Sequence, residues 1–142
     1  MSAENPTPSA KIYWVDDDAD ILYPCMEPLQ RKGYDVKFIE SMQEALNRYE
    51  ELAAGDLLII DLLIPHIDPA HDDQREPPGI DLIRRLQERE CPVPMMVMTV
   101  IYSPRVEKEL LKMHISHILH KPVHPHTIVR MVESMLSRSQ KT

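Results

Sequence analysis

The chain has 142 residues, 43% of them hydrophobic and 27% charged, with 16 Lys and Arg against 23 Asp and Glu for a formal net charge of −7. That length suits one domain and that composition can bury a full core, which excludes a disordered tail or a small disulfide-stapled module. An acidic balance with no run of Lys or Arg excludes nucleic acid and an anionic membrane as expected direct partners.

The opening residues MSAENPTPSA lack the basic start and apolar stretch of a signal peptide, and no apolar run approaches a membrane span, so a cytoplasmic protein is expected. Residues 1–9 are expected to be a disordered extension, 10–137 the folded domain and 138–142 a polar tail. Cys25 and Cys91 have no CxxC spacing and read as small apolar side chains.

In chain order, the first strand is expected over residues 12–15, followed by a helix striped by Ile21, Leu22, Cys25, Met26 and Leu29. Pro24 and Pro28 predict a late start or a kink in that helix. A second strand at 36–39 leads into one helix carrying Met42, Ala45, Leu46, Tyr49, Leu52 and Ala53, opened by a capping box of Ser41 and Glu44. The third strand, 57–60, precedes a helix with Ile80, Ile83 and Leu86; the fourth, 95–99, precedes one capped by Ser103-Pro104 and striped by Val106, Leu110 and Met113. A short strand at 118–119 and a helix with Ile128, Val132, Met135 and Leu136 complete five βα repeats, the pattern of a parallel sheet.

Ligands of such sheets collect at the carboxyl ends of the strands. Those ends carry Asp16, Asp17 and Asp18, then Asp61, Thr99, and Lys121 before Pro122. Carboxylates gathered this closely repel one another, and a hard divalent cation with oxygen ligands, Mg²⁺, relieves them while the lysine neutralises the remainder. Asp61, ending a buried strand beside a metal and a lysine, is suited to attack phosphorus and carry an acyl phosphate. Taken singly these residues also suit a solvated turn and a surface lysine; the conjunction of types and positions carries the argument.

The stretches KIYWVDDD, GYDVKFIESMQEAL, GDLLIIDLLIP, PMMVMT and LHKPVHP, in that order, resemble the receiver domain of two-component response regulators over roughly residues 10–137. The resemblance implies an α/β, flavodoxin-like (βα)₅ fold with a five-stranded parallel sheet in the order 2-1-3-4-5. It implies Asp61 as phospho-acceptor, Thr99 and Lys121 as its phosphoryl contacts, Mg²⁺ held by Asp16, Asp17, Asp61 and the backbone carbonyl of Leu63, and a cis Lys121-Pro122 bond. By the same resemblance the chain is a signalling domain rather than an enzyme, assisting its own phosphorylation and dephosphorylation. A sensor histidine kinase or a phosphotransfer protein is the implied donor. A downstream protein would read the face of the fourth helix, fifth strand and fifth helix, and a homodimer is a further option.

The chain departs from the family in several places. HIDPAHDDQREPP, after Pro65 and before the helix start at Gly79, is a long insertion at about residues 66–78, expected to serve access or partner selection rather than folding. Ile118 stands where an aromatic usually lies, Val100 where Ala or Gly is usual, and apolar Leu63 and Ile101 flank the route of an attacking water, which predicts a long-lived acyl phosphate. His114, His117, His120, His124 and His126 are a weak metal candidate, as are His66, Asp68, His71, Asp72 and Asp73. Two other functions compete: a haloacid-dehalogenase-like phosphatase, which needs an acid where Leu63 stands, and a non-phosphorylated pseudo-receiver scaffold.

Overall fold

The computed structural model describes residues 10–65 and 76–139. Strands β1 (Lys11–Val15), β2 (Asp35–Ile39), β3 (Leu57–Ile60), β4 (Met95–Thr99) and β5 (Ile118–His120) form one parallel sheet in the order β2-β1-β3-β4-β5, the order expected. Around it run α1 (Ala19–Arg31), α2 (Met42–Asn47), α3 (Tyr49–Ala53), α4 (Pro78–Glu88), α5 (Pro104–Lys112) and α6 (Pro125–Ser139).

The unbroken apolar run of β3 has a direct cause. Helices cover both faces of the sheet, so every β3 side chain is buried whichever way it points. Alternation along the strands then assigns each residue to one of two cores. Ile12, Trp14, Leu57, Ile59, Met96 and Met98 pack against Leu22, Met26 and Leu29 of α1 and Ile128, Val132 and Met135 of α6. Tyr13, Val15, Leu58, Ile60, Met95 and Val97 pack against Met42, Leu52, Ile83, Leu86 and Leu110 on the other side.

Several local expectations are corrected. The second helix is two: Arg48, at φ −106° and ψ 27°, ends α2 and opens α3, and its guanidinium is held by Glu44 at 2.8 Å and Glu51 at 3.0 Å. Helix α1 starts at Ala19, without the late start expected, and runs unbroken to Arg31 with both prolines inside it; Pro24 is exposed, so its ring projects away from the core. The Ser41 hydroxyl caps Glu44 N–H at 3.1 Å, but the Glu44 carboxylate takes the N–H of Glu40 rather than that of Ser41. Helix α6 continues through Ser139, into the segment expected as a tail. The expectations for residues 1–9 and for the insertion at 66–75 lie outside the described residues.

Registry brings the strand ends into line. Val15 pairs with Ile39 on one side and Ile60 on the other, and Thr99 pairs with His120. The residues that follow therefore emerge together along the carboxyl edge.

Candidate functional site

Among the described residues the buried polar side chains are Asp16, Asp61 and Thr99, and all three sit at that edge. Burial of a carboxylate without a partner is costly, so the partners locate the site. The backbone holds the two acids first. Asp16 N–H donates to Ile39 O at 2.8 Å, and Asp61 N–H donates to Val15 O at 2.9 Å, extending the ladders by one residue.

Lys121 closes the arrangement from β5. Its own N–H donates to Thr99 O at 2.8 Å, and the bond to Pro122 is cis, as expected. Its ammonium then reaches Asp16 Oδ2 at 2.7 Å and Asp61 Oδ2 at 3.1 Å. The second oxygen of each acid faces its own loop: Asp16 Oδ1 accepts from Asp18 N at 2.9 Å, and Asp61 Oδ1 from Leu63 N at 3.1 Å. The Thr99 hydroxyl accepts from Ile101 N at 3.3 Å.

The electrostatics follow from burial. Desolvation pushes the Asp16 carboxyl above the usual aspartate range, more than the hydrogen bond from Lys121 pulls it down. Burial also works against the Lys121 ammonium, but the hydrogen bond to Asp16 and the charges of both acids outweigh it and hold the lysine above its ordinary value. Lys121 thus stays charged. Asp16, Asp17 and Lys121 with Asp61 leave three carboxylates against one ammonium, a surplus that one divalent cation cancels.

The structure brings Asp16, Asp61, Thr99 and Lys121 to one place, while Asp17 and Leu63 stand at its exposed rim. Carboxylate oxygens of Asp16, Asp17 and Asp18 lie within 4.8 Å of one another, so the metal-capable acidic group includes Asp18, which the expected ligand set omitted. The histidines do not converge on a comparable group among the described residues; the His124 and His126 rings meet edge to face with centroids 6.5 Å apart. The second candidate set, from His66 to Asp73, lies outside the described residues.

Gly79 is a residue whose role the sequence pattern did not reveal beyond a helix start. Its N–H donates to Leu62 O at 2.7 Å, and a Cβ there would stand 2.4 Å from Leu62 Cα and 2.6 Å from Asp61 O. Helix α4 is thereby pressed against the backbone that carries Asp61.

The response regulator receiver domain family matches this chain over residues 12–133. The chain belongs to that family. It is 28% identical over 131 residues to the alkaline phosphatase synthesis transcriptional regulatory protein PhoP of Bacillus subtilis, covering 92% of this chain and 50% of that protein. It is 25% identical over 134 residues to the transcriptional regulatory protein FixJ of Bradyrhizobium diazoefficiens, covering 94% of this chain and 60% of that one. The chain thus spans about half the length of these relatives. Two solved structures share its fold. A CheY-like response regulator receiver domain protein from Methanospirillum hungatei aligns with a TM-score of 0.76 at 20% identity, over 94% of this chain and 98% of that one. The HemR receiver domain from Leptospira biflexa aligns with 0.75 at 22%, over 91% and 95%. As a receiver domain this chain is a two-component signalling domain and not a classical enzyme.

Proposed function

We propose that this receiver domain takes a phosphoryl group onto the Asp61 carboxylate from a phosphohistidine, supplied by a sensor histidine kinase or a phosphotransfer protein. The observation that carries the reading is the Lys121 ammonium shared between Asp16 and Asp61, 2.7 and 3.1 Å away. A carboxylate so held is fixed at the end of a rigid strand, and the lysine is already charged where phosphoryl oxygens arrive.

In the transfer an Asp61 oxygen forms a bond to phosphorus as the phosphorus–nitrogen bond of the donor breaks; the imidazole leaves with the electron pair. Lys121 keeps contact with the phosphoryl oxygens, and the Thr99 hydroxyl turns to donate to one of them. Asp16 and Asp17, with Asp61 and the Leu63 carbonyl, would hold Mg²⁺; the donor set is hard oxygen and its charge surplus fits a divalent cation. Bound there, the ion supplies neutralising charge to the phosphoryl oxygens.

Water attacking the same phosphorus returns the carboxylate, which makes dephosphorylation a property of the same site. Residues 10–137 act as the domain, in the cytoplasm, and a downstream protein or a second copy reads the face made by α5, β5 and α6. Neither a dehalogenase-like phosphatase nor a silent scaffold is favoured by an observation, since Leu63 offers no general acid and the acidic and lysine set is complete.

Intact-mass measurement with phosphoramidate tests the reading. One phosphoryl group is expected in the presence of Mg²⁺, strongly reduced with chelator and lost in Asp61→Asn; equal labelling of Asp61→Asn overturns it.

A further inference from the structure

Three residues beyond Thr99 and one before Lys121 lie two rings the phosphoryl chemistry does not use. The Tyr102 ring stacks on the His120 ring with centroids 4.0 Å apart and planes 30° from parallel. Tyr102 is otherwise a solvent-facing side chain, 78% exposed. His120 is its opposite: its Nε2 is buried, makes no hydrogen bond, and sits 3.5 Å from Glu107 Oε1 of α5. The stack therefore joins an exposed aromatic to an imidazole whose buried nitrogen lacks a hydrogen bond, and a buried polar atom of that kind calls for a functional explanation.

The stack joins two segments that answer differently to the acceptor site. His120 is fixed by the sheet: it pairs with Thr99, and its neighbour Lys121 donates to Thr99 O. Tyr102 rides on the loop after Thr99, which is tied to the site by the 3.3 Å bond from Ile101 N–H to the Thr99 hydroxyl. A hydroxyl that turns toward a new acceptor carries that loop with it or releases it. The position of Tyr102 is thus linked to the orientation of that hydroxyl, whereas His120 is held by the sheet.

We propose that the Tyr102–His120 stack, backed by Glu107, is the element through which this domain reports phosphorylation of Asp61 to the face of α5 and β5. The inference rests on the acceptor reading above. In this chain Ile118, partly buried against the core, stands three residues before Lys121, so no aromatic side chain from β5 is available there. The aromatic contribution comes from the loop, and the strand contributes the imidazole. Release of Tyr102 opens His120 Nε2, which already lies 3.5 Å from Glu107 Oε1, to water and changes the outer surface at the start of α5. Both rings are positioning elements, since neither touches the transferred group.

The test is the histidine-ring NMR spectrum of the full chain, with the His120 signals assigned by their loss in His120→Gln. Tyr102→Leu gives their position without the ring current of the stack. With phosphoramidate and Mg²⁺, and a mass gain of one phosphoryl group on the same sample, the wild-type His120 signals are expected to move toward the Tyr102→Leu position. In Thr99→Val, compared at matched mass gain, they are expected to stay. Phosphorylated wild type with unmoved His120 signals overturns the inference and leaves the acceptor reading standing, and so does an equal movement in Thr99→Val. Absence of any mass gain overturns both.

Discussion

Gly79 and Leu62 are in backbone contact: the glycine N–H donates to the Leu62 carbonyl at 2.7 Å, and a methyl group on Gly79 would stand 2.4 Å from Leu62 Cα. Because the obstacle is backbone, no rotamer change relieves it. Gly79→Ala should destabilise the domain by about 1–3 kcal/mol, the usual cost of overpacking a rigid site. It should also slow phosphorylation of Asp61, whose carbonyl lies 2.6 Å from the same point. Chemical denaturation and the rate of mass gain check the two effects, and an unchanged midpoint would show that α4 can retreat freely.

Lys121 and Asp16 should respond to substitution in opposite directions. Lys121→Met leaves two buried carboxylates facing each other and should cost about 1–3 kcal/mol, because each loses a charged hydrogen bond without gaining solvent. Asp16→Asn should stabilise the domain. Burial raises the Asp16 pKa in the folded chain above its unfolded value, so the folded state binds the proton more tightly and stability from this group falls as pH rises through the raised value. The gain of Asp16→Asn over wild type should therefore be small well below the ordinary aspartate range and should grow as pH rises past it. Urea titrations in chelator across that range measure it; a gain that shrinks with rising pH would contradict the assignment.

The lifetime of the acyl phosphate should be long. Leu63 is 46% exposed at the rim and Ile101 is partly buried beside Thr99, and neither side chain can hydrogen-bond a water. Leu63→Asn and Ile101→Glu should each hasten decay; tenfold corresponds to about 1.4 kcal/mol of barrier. Chasing phosphorylated protein after donor removal measures the rates, and unchanged decay in both variants would show that these residues do not govern the water.

Much of this was legible in the residues because strand ends announce themselves. Asp61 interrupts an otherwise apolar stretch, Thr99 ends one apolar run and Lys121 follows another, so reading the residues at the ends of the apolar clusters placed them along one edge. What was hidden depends on packing between distant segments. The break at Arg48 is a backbone departure, φ −106° and ψ 27°, inside a stretch whose apolar stripe is uninterrupted, so periodicity does not reveal it. The closeness of Gly79 to Leu62 follows from how α4 meets β3, and a glycine near a helix start looks the same without it. Tyr102 and His120 are eighteen positions apart, and only the β4–β5 register makes them neighbours. Asp18 was visible in the triplet, but its approach to the other two acids depends on the tight turn closed by its N–H on Asp16.

The central claim is that Asp61 receives the phosphoryl group, and borohydride trapping tests it at the atom concerned. Reduction of an aspartyl phosphate gives homoserine, so the domain should be treated with phosphoramidate and Mg²⁺, reduced, digested and sequenced by tandem mass spectrometry. Homoserine at position 61, and aspartate intact at positions 16, 17 and 18, is the result predicted. Homoserine at any of those three with position 61 unmodified, or no conversion in protein that shows the phosphoryl mass gain, would contradict it.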